Sequence, residues 1–561
     1  MLTRAAAAAI AFGCLIAPLQ PAHAEEPVET AIRGWVNSIN ASPDWRASYR
    51  RLSYDPADGR ALLTGLSIQT ETPGITIAFE QIAVFGFRQS ADGGFSASRL
   101  TADGGAAEFG VLKLALSDVE VNELAIPAMP AIAWDATQPF TSMIRAYAPL
   151  AKVAMTNGRI GAATLIETNG NKSSRITYNE FRIDRWNAGK IAAITAGPLT
   201  MEAPEPDGLV TMAVASLESR DLDVDAALRV LDPDRYERGV GDGVWHPVSG
   251  LAAYRNMVVN GPGLKMTLNL VSVENLRMRQ PPKSFAGVLD KLIVDPDYEP
   301  DNMEDAEALV DLFSSYGLGR LGISGLDITA TGIEGVHLGG FSISDLSMDR
   351  LGEFAINDFG AAVADQGSVR VGHFAFGDVA LPGASALIAA IRADEAGEDP
   401  DIGALAPKLG YVEASGIDIE TVDVPRTTLN SLRVDLADYI GVVPTTVAVA
   451  MNGLKVPVKA MGAEARAVFA RLGIEEADVS YRMNANWREN DETLTINDLQ
   501  FDLAGAGGLG LSMILNGLPR TAIENPEMLE DVLPTLLLSR AKVTLRDDSI
   551  VGKGLDMLAE K

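Results

Sequence analysis

The feature that most constrains the fold is a succession of short segments, spread along the chain, in which apolar and polar residues alternate and a Gly, Asn or Asp closes each one. Alternation with period two puts every second side chain on one side of an extended backbone. Each segment therefore reads as a half-buried β-strand and each closing residue as a tight turn. Leu63-Thr-Gly-Leu-Ser-Ile68, Ile75-Thr-Ile-Ala-Phe79, Leu114-Ala-Leu-Ser-Asp-Val-Glu-Val121, Met266-Thr-Leu-Asn-Leu270 and Leu494-Thr-Ile-Asn-Asp-Leu499 are representative. The pattern is densest over 321–381, where Gly325, Gly332, Gly335, Gly339-Gly340, Asp345, Gly352 and Asn357-Asp358 fall between apolar positions. Strands so close in sequence imply a meander or a solenoid-like stack, and the fixed Asn and constant period of leucine-rich repeats are absent.

Helices interrupt the strands. Phe140, Met143, Ile144 and Tyr147 are spaced i, i+3, i+4, i+7, as are Phe285 to Leu292, Ala306 to Phe313, Ala465 to Leu472 and Leu529 to Leu536. Each set makes one apolar stripe that can lie on a sheet. Asp301-Asn302, and Thr137 with Pro139, mark helix starts. Ala151-Lys-Val-Ala-Met155, Ala477-Asp-Val-Ser-Tyr481 and Ala541-Lys-Val-Thr-Leu545 follow several of these helices, as do Ile323-Ser-Gly-Leu-Asp-Ile328 and Ala414-Ser-Gly-Ile-Asp-Ile419. They suggest a degenerate helix-plus-strands module used about five times. The expected class is α+β, β-dominated: an elongated repetitive antiparallel sheet or solenoid-like stack with amphipathic helices packed on it. The polar loops 295–302 and 394–401 divide it into regions 25–300, 301–400 and 401–561.

Residues 1–24 read as a secretory signal peptide. Arg4 supplies the positive start, Ala5 to Pro18 are almost wholly apolar, and Ala22 and Ala24 are the small residues a signal peptidase reads, which puts the mature start at Glu25. The apolar run is about 14 residues, too short to span a bilayer comfortably. An N-terminal anchor fits less well, because Pro18, Pro21 and Glu25-Glu26 end the apolar pattern abruptly. Lipid attachment at Cys14 fits poorly with the Ala11-Phe12-Gly13 before it. Cleavage removes the only cysteine, so the mature chain tolerates an oxidising compartment without a disulfide. No later stretch approaches the roughly 20 apolar residues of a spanning helix.

The formal charge of −29 repels phosphate backbones, which excludes electrostatic binding of nucleic acid. Catalytic chemistry is sparse. His246, His337 and His373 are far apart, and no Gly-x-Ser-x-Gly elbow accompanies them. His337 and His373 lie in alternating sequence and read as satisfied sheet residues. His246, between Trp245 and Pro247 in a Gly-rich stretch, is the one candidate for a functional role. Paired Cys/His ligands for zinc do not exist, and the acidic loops lack the spacing of a calcium loop. Gly505-Ala-Gly-Gly-Leu-Gly510 matches a dinucleotide fingerprint literally, but Leu509, Leu511, Met513 and Leu515 alternate as a strand, so it reads as a hairpin turn. No catalytic, cofactor or metal site is assigned.

A helix at about Val28 to Ile39, the Leu63 to Ile68 and Leu116 to Val121 strands, and the closing Ala541-Lys-Val-Thr-Leu-Arg-Asp-Asp-Ser-Ile550 give the chain a texture that resembles the AsmA-like and related periplasmic β-rich envelope proteins of Gram-negative bacteria. The resemblance extends over most of the chain and rests on no specific motif. It implies long curved sheets whose concave face can be apolar, and lipid handling between membranes for some members. A cleavable signal in place of a retained anchor departs from AsmA proper. The expectation is an exported, non-enzymatic binding or scaffolding protein of the envelope that holds a lipid or other apolar ligand. The alternatives are a structural module that contacts envelope proteins, and a secreted hydrolase.

Overall fold

The computed structural model describes residues 28–549 and 552, apart from 41–44, 71–74, 91–93, 110, 128–134, 170–171, 301 and 423. The signal segment with Cys14, Ala22, Ala24 and Glu25 lies outside the described residues. The chain forms two units, one up to Gly319 and one from Arg320. Among the described residues it is β-dominated, with 26 strands and helices between them, and every strand pairing is antiparallel.

The first unit contains β1 (Trp45–Ser48), β2 (Arg51–Asp55), β3 (Arg60–Thr70), β4 (Ile75–Phe85), β5 (Arg88–Gln89), β6 (Phe95–Asp103), β7 (Gly105–Phe109), β8 (Leu112–Ile126), β9 (Met155–Asn169), β10 (Lys172–Asn187), β11 (Lys190–Ala196), β12 (Leu199–Glu205), β13 (Gly208–Asp223), β14 (His246–Gly261) and β15 (Leu264–Met278). Its helices are α1 (Val28–Asn40), α2 (Pro139–Tyr147), α3 (Val224–Leu231), α4 (Ala286–Val294) and α5 (Met303–Ser314). Helix α1 covers one end of the sheet: its Ile32, Val36 and Ile39 share a core with Ala61, Leu63, Leu66, Ile68 and Ile77. Helices α2 to α5 make a second layer, in which Phe140, Ile144, Leu228 and Ala286 form one cluster and Val230, Met278, Phe285 and Val288 another. Asn302 caps α5 as expected, its Oδ1 accepting from the Asp305 N–H at 2.9 Å. Thr137 does not cap α2. Gln138 holds that position without a side-chain bond, and Pro139 opens the helix.

Strand β16 (Tyr316–Ala330) carries the boundary between the units. The second unit continues with β17 (Ile333–Leu346), β18 (Arg350–Val363), β19 (Gly367–Ala380), β20 (Tyr411–Thr421), β21 (Thr427–Ile440), β22 (Val443–Pro457), β23 (Glu476–Arg488), β24 (Thr493–Leu503), β25 (Gly507–Asn516) and β26 (Leu537–Asp547). From β17 onward each pairs with the next, so this is a meander. Its helices are α6 (Gly383–Ala396), α7 (Ile402–Leu405), α8 (Ala463–Arg471), α9 (Arg520–Glu524) and α10 (Leu529–Val532). Helix α6 shortens the expected 394–401 loop, because Asp394 to Ala396 are its last residues and Gly397, at φ +70°, closes it in the left-handed conformation. The stripe from Leu529 to Leu536 gives only α10 and a 3-10 turn, since Pro534 lacks the N–H that would extend the helix.

The strands correct the sequence reading in one respect: they are long, and the residues read as turns sit inside them. Of the Gly, Asn and Asp positions in 321–381, Gly332 is in a turn, whereas Gly325, Gly335, Gly339-Gly340, Asp345, Gly352 and Asn357-Asp358 are strand residues. Many strands share one local form, an apolar residue, any residue, then Gly, Asp or Asn with positive φ, then apolar, any, apolar. Gly65, Asp118, Asn275, Gly325, Asp345, Asp358, Asp378, Gly416, Gly453 and Asp498 all occupy the third place, with φ from +47° to +63°. A left-handed residue there advances the side-chain alternation by one, so the next apolar residue returns to the same face. In β3, Ala61, Leu63, Leu66 and Ile68 are all at most 4% exposed in one core, although Leu63 and Leu66 are three apart. Gly65 lies between them. Several of these left-handed Asp and Asn residues face a glycine on, or just before, the adjacent strand: a Cβ on Gly161, Gly319, Gly339, Gly352 or Gly410 would lie 2.5 to 2.9 Å from the Cβ of Asp118, Asn275, Asp358, Asp345 or Asp378 respectively.

Candidate functional site: an uncovered apolar sheet face

Register turns these strand patterns into rows in the second unit. Phe341 pairs with Ile356, then Phe374, Ala414, Leu432, Met451, Tyr481, Phe501, Leu509 and Leu545 follow as direct cross-strand partners from β17 to β26. Two positions along, Ile343, Phe354, Phe376, Val412, Val434, Val449 and Met483 form a parallel row. Across the kink, Leu338, Phe359, Val371, Ile417, Leu429, Leu454, Val479 and Leu503 form a third. No charged side chain interrupts them. Strands lie about 4.8 Å apart, so the first row runs for about 43 Å.

These rows are not a closed core. Apart from Ala414 and Leu503 their residues are half-buried or exposed, with Phe501 46%, Leu509 50% and Leu545 61% exposed. Buried clusters in this unit occur at two places only among the described residues, around Ala477, Leu503 and Ala506, and around Trp487, Leu518 and Ala522. On β17 to β19, away from both clusters, four rings pack on one another: Phe354 stacks on Phe376 with centroids 4.9 Å apart and meets Phe341 edge-on at 5.3 Å, and Phe374 meets both Phe354 and Phe376.

The other face is polar and satisfied. His373 bridges Asn357 Oδ1 at 2.7 Å and Glu413 Oε1 at 3.0 Å, and Arg433 donates to Glu413 Oε2 at 2.6 Å. Tyr411 donates to Glu353 at 2.7 Å; burial, reinforced by that bond, pushes its hydroxyl up to about 12, so it stays a donor. His337 lies between Asp327 Oδ1 at 2.7 Å and Asp358 Oδ2 at 3.3 Å, and its bond to Asp327 raises its pKa. A raised imidazole stabilises the fold fully below its ordinary value near 6.5 and loses that contribution as pH climbs through the raised value. His337→Gln is therefore expected to flatten the pH dependence of the second unit's unfolding midpoint in the range above about pH 6.5. Denaturant titrations across that range test this, and an unchanged slope counts against it.

His246 opens β14, with its Nε2 3.3 Å from Asp242 Oδ2, and among the described residues no serine is a hydrogen-bond partner of it. Its neighbours Trp245 and Pro247 instead line an open cavity of about 740 Å³ in the first unit, together with Arg185, Lys190, Asn275 and Arg277. Arg277 and Arg279 lie 5.1 and 4.6 Å from the centroid of the Trp245 ring, so the indole is occupied by its own chain. Sequence reasoning did not find this cavity, because its basic residues come from separate strands. The Gly505 to Gly510 segment forms the β24–β25 turn and the start of β25, not a helix. Among the described residues no group of three His, Cys, Asp or Glu side chains could hold a metal ion, and no helix is long and apolar enough to cross a membrane.

Fold and face together define a β-dominated antiparallel protein with an apolar sheet surface that the described residues leave largely uncovered. The chain matches no known family, no curated protein and no solved structure.

Proposed function

We propose that this is an exported, non-enzymatic protein of the bacterial envelope that binds lipid acyl chains, or another ligand as apolar, along the sheet face of its second unit. The observation that carries the reading is the set of unbroken apolar rows, the first from β17 to β26, the second to β23 and the third to β24, mostly half-buried and, among the described residues, without a packed layer over most of their length. Antiparallel sheets usually solvate one face and cover the other. Here the solvated face is present, and among the described residues no layer covers the other. An apolar surface that extends over many strands marks an interaction site, and aliphatic and aromatic side chains without charges suit hydrocarbon rather than a polar ligand. The signal-like residues 1–24 support an envelope location, and the lone His246–Asp242 contact supports binding over hydrolysis.

Native mass spectrometry of protein purified from the periplasm, with extraction of what is bound, tests the reading. Phospholipid at near unit stoichiometry is expected, and a clean apo mass overturns it. Val434→Glu places a carboxylate in the second of these rows, where the half-buried site leaves room for it, and is expected to reduce lipid occupancy at least fivefold while the protein stays folded.

A further inference from the structure

We propose that β26 is a docking edge that takes, as an added strand, an extended segment of another protein in which apolar and acidic residues alternate. Strand β26 pairs with β25 from Leu537 to Asp547, and among the described residues no strand pairs with its other edge. All eleven of its residues are exposed. A strand in that position presents a row of unpaired N–H and C=O groups, a template for strand addition. Its apolar side chains carry the sheet's rows to the edge and leave them open there: Val543 is 66% and Leu545 61% exposed.

The polar face selects the partner. In a chain of formal charge −29, this strand carries Arg540, Lys542 and Arg546. Arg546 is engaged by Asp502 at 2.9 Å and Asp548 at 3.1 Å. Arg540 and Lys542 have no carboxylate partner among the described residues. A second copy is a poor occupant. Antiparallel pairing of β26 with itself about Lys542 sets that lysine against itself, and pairing about Val543 sets Arg540 against Arg546. Like charges directly opposite are destabilising, whereas opposite charges add to a cross-strand pair. A strand with acids at alternate positions meets both cations and extends the apolar rows at the same time. This inference is independent of whether lipid occupies the face.

The test uses the full chain and two fluorescent nine-residue peptides, one alternating valine with glutamate and one valine with lysine, followed by anisotropy. Saturable binding of the acidic peptide, at least tenfold tighter than the basic one and weakened by salt, is expected. The double variant Arg540→Glu with Lys542→Glu changes only exposed side chains. It should melt like the parent and reverse the preference. The proposal fails if neither peptide binds, if both bind equally, or if the double variant keeps the original preference. It fails equally if light scattering shows a concentration-dependent dimer that the same variant abolishes, since the occupant is then a second copy.

Discussion

Replacing Asp290 by alanine is expected to destabilise the first unit by about 3 kcal/mol, read as a lower urea midpoint with an unchanged slope. Asp290 sits in α4 and is 4% exposed. Its carboxylate accepts from the backbone N–H of Thr141 at 3.0 Å and from the Thr141 hydroxyl at 2.6 Å. Thr141 is in the first turn of α2, where backbone N–H groups have no acceptor within the helix and the helix dipole favours negative charge. The carboxylate is thus a cap delivered from 149 residues away. Removing it leaves a buried N–H and a buried hydroxyl without partners, at about 1–3 kcal/mol each. Asp290→Asn keeps one acceptor and should lose less than half as much. A loss under about 0.5 kcal/mol for the alanine variant would show that water reaches Thr141 and that the bond is not structural.

That cap also marks where the sequence stops being informative. Helix α2 was legible from Phe140, Met143, Ile144 and Tyr147, and α4, α5 and α8 from similar stripes, because an amphipathic helix carries its period within a dozen residues. The residue that secures the start of α2 was not, since Thr137 and Pro139 offered a local answer and the structure uses a distant one. Strands were legible as strands but not at their true length. A left-handed Asp or Gly in mid-strand resets the alternation, so a strand of 14 or 15 residues reads as two short ones with a turn between, as around Gly325 and Asp358. The apolar face is further out of reach. Its residues are visible one strand at a time, but whether Phe374 stands beside Ile356 or beside Asn357 is decided by register, and a shift of one residue would exchange the two faces. His246 drew attention through its neighbours, and in the structure it is those neighbours, Trp245 and Pro247, that line the cavity.

The kink itself can be tested by a cycle of two substitutions. Gly161 in β9 faces Asp118 in β8, which is held at φ +51°. A Cβ on Gly161 would lie 2.7 Å from both Cβ and Oδ2 of Asp118 and 3.2 Å from its Cγ, and its three nearest contacts all belong to that one side chain. Gly161→Ala alone is expected to cost about 2 kcal/mol through overpacking in a strand bonded on both sides. Asp118→Gly alone should fall within about 1 kcal/mol of neutral, because glycine adopts a left-handed conformation without the strain a Cβ brings while adding entropy to the unfolded chain. With both changes the clash has no partner, and alanine is the better strand residue. The double variant should then be at least as stable as Asp118→Gly, a coupling of about 2 kcal/mol. Strict additivity would mean that the glycine is required by the backbone and not by the acid opposite, and the pairing of left-handed acids with glycines along these strands would lose its steric explanation.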